Sequence, residues 1–150
     1  MNFLTTLHRI YFMKETKGSV MKIISTNNAP QAIGPYSQAI AVNGMIYTSG
    51  QIALLPDGTM LTAGVEEQTE QVMKNLSAVL EAGDASLSNV IKTTIFLADM
   101  DDFIKVNEIY ARYFGNHKPA RSTVAVKTLP KNALVEVECI ALRDANVSFG

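Results

Sequence analysis

Few side chains in this sequence are equipped for chemistry, and most of them lie late in the chain. Arg121 opens a strand-like run directly after Pro119-Ala120. An arginine there can clamp a carboxylate through two parallel hydrogen bonds; a salt bridge to Glu136 or Glu138 is the competing use. Those two glutamates alternate with Leu134, Ile140 and Leu142. The mixture suits either a subunit interface with embedded polar groups or a partly solvated outer face. Asn107 shares an apolar stripe with Phe103, Tyr110 and Phe114, so its amide must find partners or cost on the order of 1–3 kcal/mol. Tyr36, in Gly34-Pro35-Tyr36, is either a core aromatic or a ring with its hydroxyl aimed at a ligand. Ser49-Gly50 ends a strand-like run, where the missing side chain at Gly50 lets a ligand approach the backbone.

Other chemistries are poorly supplied. There are two histidines, His8 and His117, so a Ser-His-Asp arrangement would have to be built on His117, in a loop before Lys118-Pro119. The single cysteine, Cys139, sits mid-strand on an apolar face, where a thiol acts as a small hydrophobe more often than as a nucleophile. No Cys/His cluster has zinc spacing, and no P-loop or G-x-G-x-x-G occurs.

The elements that must position these residues are legible. Asn43-Gly44 between two apolar runs predicts a hairpin with a type I′ turn, and Pro56-Asp57-Gly58 predicts a second turn. Residues 65–82 show helical spacing through Val65, Thr69, Val72, Leu76, Val79 and Leu80, with Gly83 placed for a C-terminal cap. Val90–Leu97 is rich in β-branched residues and reads as a strand. Asp101 or Asp102 can cap a second helix over 102–114, ended by Gly115. Strands from Arg121 to Val126 and from Leu134 to Leu142 follow, and an extra strand at Lys22–Ser25 completes the order. The expected class is α+β: a single domain with a mixed β-sheet and both helices on one face.

Residues 1–20 read as an N-terminal extension outside the core or, alternatively, as an amphipathic helix packed on the body. The domain proper is expected over 21–143, with a C-terminal tail at 144–150. A net charge of -1 and no basic stripe argue against a nucleic-acid partner. No apolar run approaches the roughly 20 residues of a membrane span. One cysteine excludes an internal disulfide and suits a reducing compartment, so a cytoplasmic location is expected. A charged fraction of only 18% hints that surface is buried between subunits.

Several segments together resemble the reactive intermediate imine deaminase family (RidA, also called YjgF). They are Asn28 to Gln38 (NAPQAIGPYSQ), Tyr47 to Ile52 (YTSGQI), Val90 to Leu97, Asp102 to Asn107 (DFIKVN), Pro119 to Val124 (PARSTV), Leu129-Pro130-Lys131 and Val135 to Glu138 (VEVE). The likeness covers roughly Lys22 to Arg143. It implies a chorismate-mutase-like homotrimer with ligand clefts between subunits, and cofactor-free hydrolysis of 2-imino acids such as 2-iminobutanoate and 2-iminopropanoate. By the family pattern Arg121 holds the substrate carboxylate and Glu136 positions or activates water. Tyr36, Ser49, Gly50 and Asn107 line the cleft, with Thr123 standing where relatives often carry cysteine. The alternative is a trimeric metabolite-binding regulator that uses the same cleft.

The register of the last two strands decides how Arg121 and Glu136 meet. If the seven-residue loop 127–133 joins an antiparallel pair, placing Thr123 opposite Glu136 puts Arg121, Thr123, Glu136 and Glu138 on one face. Ser122, Val124 and Val126 then join Val135, Val137 and Cys139 on the core face, and this register is the expectation.

Overall fold

The computed structural model describes residues 10–16 and 19–143. The elements run β1 (Ile10–Thr16), β2 (Ser19–Ser25), β3 (Ala39–Val42), β4 (Met45–Thr48), α1 (Val65–Ala82), β5 (Val90–Leu97), α2 (Phe103–Phe114), β6 (Ala120–Ala125) and β7 (Val135–Leu142). Among the described residues the seven strands form one sheet in the order β1-β2-β3-β4-β7-β5-β6. Every neighbouring pair is antiparallel except β5 and β6, which are parallel. The sheet is mixed and the chain is an α+β domain.

The β3–β4 hairpin turns at Asn43 and Gly44, with φ of 51° and 74°, as a type I′ turn requires. All six residues of the α1 stripe are buried, and α1 packs on β7 and α2. Gly83 does follow the last residue of α1, but at φ -91° it is not in left-handed backbone; Asp84 takes φ 62° instead. Gly83 serves packing: a Cβ there would lie 2.6 Å from Ile24 Cδ1 and 2.8 Å from Ile46 Cδ1. The second helix is entered through a 3-10 turn at Met100–Asp102, capped by Asp99, whose carboxylate accepts from Asp101 N–H; Asp102 makes no side-chain cap. Gly115, at φ 60°, ends α2.

The core lies between the helices and one sheet face. Val135, Val137, Cys139 and Ala141 of β7 point into it, with Ile95 and Leu97 of β5. Burial lifts the Cys139 thiol to about 11, so it stays protonated and acts as an apolar group. Among the described residues no helix covers the opposite face, where Ile40, Phe96 and Ile140 are half-buried and Tyr47, Val124 and Leu142 are exposed.

The N-terminal expectation also changes. The boundary at Met21 falls inside β2, and the backbone of Ile10–Thr16 extends the sheet by pairing with β2, from Ile10↔Ser25 to Thr16↔Ser19. The segment at 10–16 is a strand and not a helix, consistent with its β-branched and aromatic Ile-Tyr-Phe opening. His8 and the tail 144–150 lie outside the described residues.

The larger correction concerns β6 and β7, which are not neighbours. The β5–α2–β6 crossover makes β6 a parallel partner of β5. β7 then inserts between β4 and β5, where its inner face meets α1. The seven residues 127–133 step across β5, a span of about 10 Å at ordinary strand spacing. Arg121 pairs with Thr93, and Thr93 with Cys139, which puts Arg121 on the helix side. Glu136 pairs with Phe96, and Phe96 with Val124, on the open side. Val124 is 46% exposed and is not a core residue.

Candidate active site

Two clefts hold six of the seven residues assigned to a site above, and they lie on opposite faces of the sheet. The first, about 390 Å³, is lined by Asn107, Tyr110, Phe114, His117, Lys118 and Arg121 among others. Arg121 donates from Nη1 to Asn107 Oδ1 at 2.7 Å. Its guanidinium carbon lies 4.9 Å from the Tyr110 ring centroid and 5.5 Å from that of Phe103. The apolar stripe of α2 is therefore also a platform for the cation, with Asn107 as its hydrogen-bonding edge. Tyr110 is fixed by a 2.6 Å hydrogen bond to Thr93 Oγ1, and burial raises its pKa. Arg121 makes no ion pair with Glu136 or Glu138 among the described residues; a strand and a sheet face separate them. His117 bonds the Val90 carbonyl through Nε2, which ties the loop before β6 to β5.

The second cleft, about 400 Å³, is lined by Tyr36, Gln38, Ser49, Gly50, Lys131 and Glu136 among others. Glu136 is half-buried on β7, and burial, followed by the neighbouring Glu138 charge, raises its pKa. A proton-accepting group shifted in that direction is better matched to work near neutral pH. Gly50 is accounted for here: a Cβ at that position would overlap the Glu136 carboxylate. The space that the sequence assigns to a ligand is occupied by a side chain of the site. Ser49 Oγ donates to the Ser37 carbonyl, and Ser49 N–H to the Gln38 carbonyl, so the hydroxyl oxygen is left to accept. Tyr36 is 55% exposed at the cleft and is not a core aromatic.

Buried amides build this cleft, and sequence reading missed them. Gln38, 2% exposed, accepts from Thr26 N–H at 2.7 Å and donates to the carbonyls of Pro30 at 2.7 Å and Thr26 at 3.1 Å. Asn75 reaches from α1 to the carbonyls of Ile52 and Leu54. A polar residue on a helical apolar stripe was the one available signal, and Asn75 sits on that stripe with Val72 and Leu76. Thr123 lines neither cleft. Its hydroxyl is buried one alternation beyond Arg121, without a hydrogen-bond partner among the described residues. Of the seven residues selected from sequence, two share the first cleft, four share the second, and Thr123 stands apart.

Residues 26–143 match the family described as endoribonuclease L-PSP. The chain is 53% identical over 80% of its length to the chloroplastic Reactive Intermediate Deaminase A of Arabidopsis thaliana, and covers 65% of that protein. It is 49% identical to the 2-iminobutanoate/2-iminopropanoate deaminase of Mus musculus, covering 83% of this chain and 93% of the mouse protein. Among solved structures it resembles yeast Mmf1 with a TM-score of 0.81 and 42% identity, over 83% of this chain and 99% of the other.

Proposed function

The chain belongs to the reactive intermediate deaminase (RidA, YjgF) family, the one described as endoribonuclease L-PSP, and from that premise we propose that it hydrolyses short 2-imino acids to 2-keto acids and ammonia. One observation carries the reading. Arg121 is seated on Tyr110 and Phe103, steadied by Asn107, and its other N–H groups have no partner among the described residues. A guanidinium held in that way is prepared for a carboxylate.

In the proposed reaction Arg121 fixes the substrate carboxylate. Glu136 accepts a proton from water as the water oxygen bonds to the imine carbon. With the imine entering protonated, addition gives a neutral carbinolamine whose nitrogen takes back the proton held by Glu136. The C–N bond then breaks as the carbinolamine hydroxyl gives its proton to the Glu136 carboxylate and the keto C=O forms. The departing ammonia carries that proton away as ammonium. Positioning together with one acid–base group, the latter worth roughly 10²–10⁴-fold, is enough for a bond as labile as an imine. No cofactor enters this scheme.

Because Arg121 and Glu136 occupy opposite faces of one sheet, a complete site needs the first cleft of one copy against the second cleft of another. We propose a homotrimer of the chorismate-mutase-like kind, in which a closed ring of head-to-tail contacts gives three equivalent sites. The uncovered face with Phe96, Val124 and Ile140 supplies apolar surface for that contact. No helix among the described residues is long and apolar enough to cross a membrane.

The test is ammonia release from 2-iminobutanoate generated in situ by an amino-acid oxidase. Acceleration by the purified chain, lost in Arg121→Ala, is the expected result. Binding of 2-oxobutanoate with no acceleration would move the assignment to the metabolite-binding regulator. Light scattering should give about three times the 16.3 kDa chain mass. Mixing inactive Arg121→Ala and Glu136→Gln chains by refolding should restore part of the activity, and no recovery would refute the shared site.

A further inference from the structure

The loop between β6 and β7 carries two consecutive non-glycine residues in left-handed backbone, Lys131 at φ 55° and Asn132 at φ 52°. Among the described residues the reversal is held by main-chain hydrogen bonds, Asn132 N–H to Leu129 O and Ala133 N–H to Pro130 O, each 3.1 Å. Asparagine tolerates such a conformation and glycine adopts it without steric cost, whereas a lysine bears the clash of its Cβ. The turn alone therefore does not account for a lysine at 131.

The position of the side chain does. Lys131 lines the Glu136 cleft, and among the described lining residues no other is cationic. Glu138 lies two residues from Glu136 on the same strand face. Without Lys131 the described residues of this chain that line the cleft would carry only negative charge, while a 2-imino acid arrives as a carboxylate anion. Its carboxylate must pass that field before Arg121 can take it. We propose that Lys131 is a specificity-determining residue for anionic substrates: it offsets the Glu136–Glu138 pair and draws carboxylate-bearing molecules into the cleft. This rests on the deaminase reading of the same site. Lys131 acts at a distance, within a Debye length of about 10 Å at 0.1 M salt, and forms no bond to the reacting atoms.

The experiment compares Lys131→Ala, Lys131→Arg, Lys131→Gly and a control, Lys127→Ala, an exposed lysine of the same loop that does not line the cleft. At low salt Lys131→Ala should lower kcat/KM about threefold to tenfold with kcat retained, and the gap should close as salt rises. Lys131→Arg should keep the rate and its salt slope. Lys131→Gly should match the alanine variant in kcat/KM yet melt at a higher temperature, which separates the charge from the turn. Lys127→Ala should behave as wild type. Calorimetry provides a readout independent of turnover: Lys131→Ala should weaken 2-oxobutanoate binding at low salt and leave the neutral 2-oxobutanamide unaffected. Equal kcat/KM and salt slopes for wild type and Lys131→Ala would overturn the proposal, as would a salt-independent loss confined to kcat. Wild type that binds 2-oxobutanoate without hydrolysing imines would sink the deaminase reading, and Lys131 would then stand or fall on the binding data. Wild type that did neither would refute both.

Discussion

Alanine at position 50 isolates the placement of Glu136 from its chemistry. The added Cβ would sit 2.9 Å from Glu136 Cδ and 3.1 Å from its Cγ, and would overlap Oε1. Carbon–carbon contact is favourable at about 3.5–4.0 Å, so the carboxylate must retreat by something near 1 Å. The backbone cannot yield easily, because Gln51 N–H donates to Val137 O at 2.9 Å and Val137 N–H donates to Gln51 O at 3.1 Å, pinning the two segments beside the contact. The half-buried Glu136 side chain swings instead. A misplacement of about 1 Å at a reacting group costs on the order of 10²-fold in rate. Gly50→Ala should therefore lower kcat/KM about 100-fold, equivalent to about 2.7 kcal/mol, with the melting temperature little changed. Gly64→Ala is the matched control, since its Cβ would meet only the flexible tip of Glu67, at 3.1 Å. The assay is imine loss under in-situ generation, beside thermal melts of both variants. Turnover within twofold of wild type for Gly50→Ala would refute the claim that Glu136 works from this position. Lost turnover with a collapsed melt would assign the glycine to folding.

Three further outcomes are expected. Gly83→Ala should destabilise by about 1–3 kcal/mol through overpacking against Ile24 and Ile46, read by chemical denaturation, with turnover per folded molecule unchanged. Gln38→Leu orphans the Thr26 N–H and the Pro30 carbonyl at about 1–3 kcal/mol for each group left unsatisfied, and amide exchange should quicken in residues 26–31. Glu136→Gln should have a pH signature. The folded-state pKa of Glu136 is raised, so ionising it opposes folding as pH climbs from the ordinary glutamate value through the raised one. Below that window both folded and unfolded chains carry the proton and no penalty exists. The variant should be more stable than wild type at neutral pH and level with it in acid, and a gap that widened toward acid would contradict the sign.

Local signals in the sequence read well because the features they report are local. Asn43-Gly44 needs only its own backbone to make a hairpin, and the α1 stripe needs only its period to define a buried side. The reasons behind two glycines were not legible, because each depends on a residue far along the chain. Gly83 answers to Ile24 and Ile46, and Gly50 to Glu136. The pairing of β6 with β7 was misjudged for a related cause. Chain order and a short loop favour a hairpin, but β7, apolar on its inner face, gains more as a central strand under α1 than at an edge. Arg121, Asn107 and Glu136 could be found by type and neighbourhood. Their division between two faces follows from sheet order, and no periodicity encodes that. Gln38 gave no sign at all, since its partners are main-chain groups.

The placement of β7 bears on how the protein is made. Its neighbours β4 and β5 are separated from it by 87 and 38 residues, counting from Thr48 and Leu97 to Val135, and each offers a bare edge until β7 arrives. On a translating ribosome the nascent chain can form the β3–β4 hairpin and the β5–α2–β6 crossover as separate pieces. It cannot join them until residue 142 has left the exit tunnel. Unpaired edges of this kind are where nascent polypeptides stick to one another or recruit chaperones. Sequence-distant pairings also slow the final step, toward the millisecond-to-second range usual for sheets closed by non-local strands. A stop codon anywhere within β7 would release two half-sheets, each with an exposed seam.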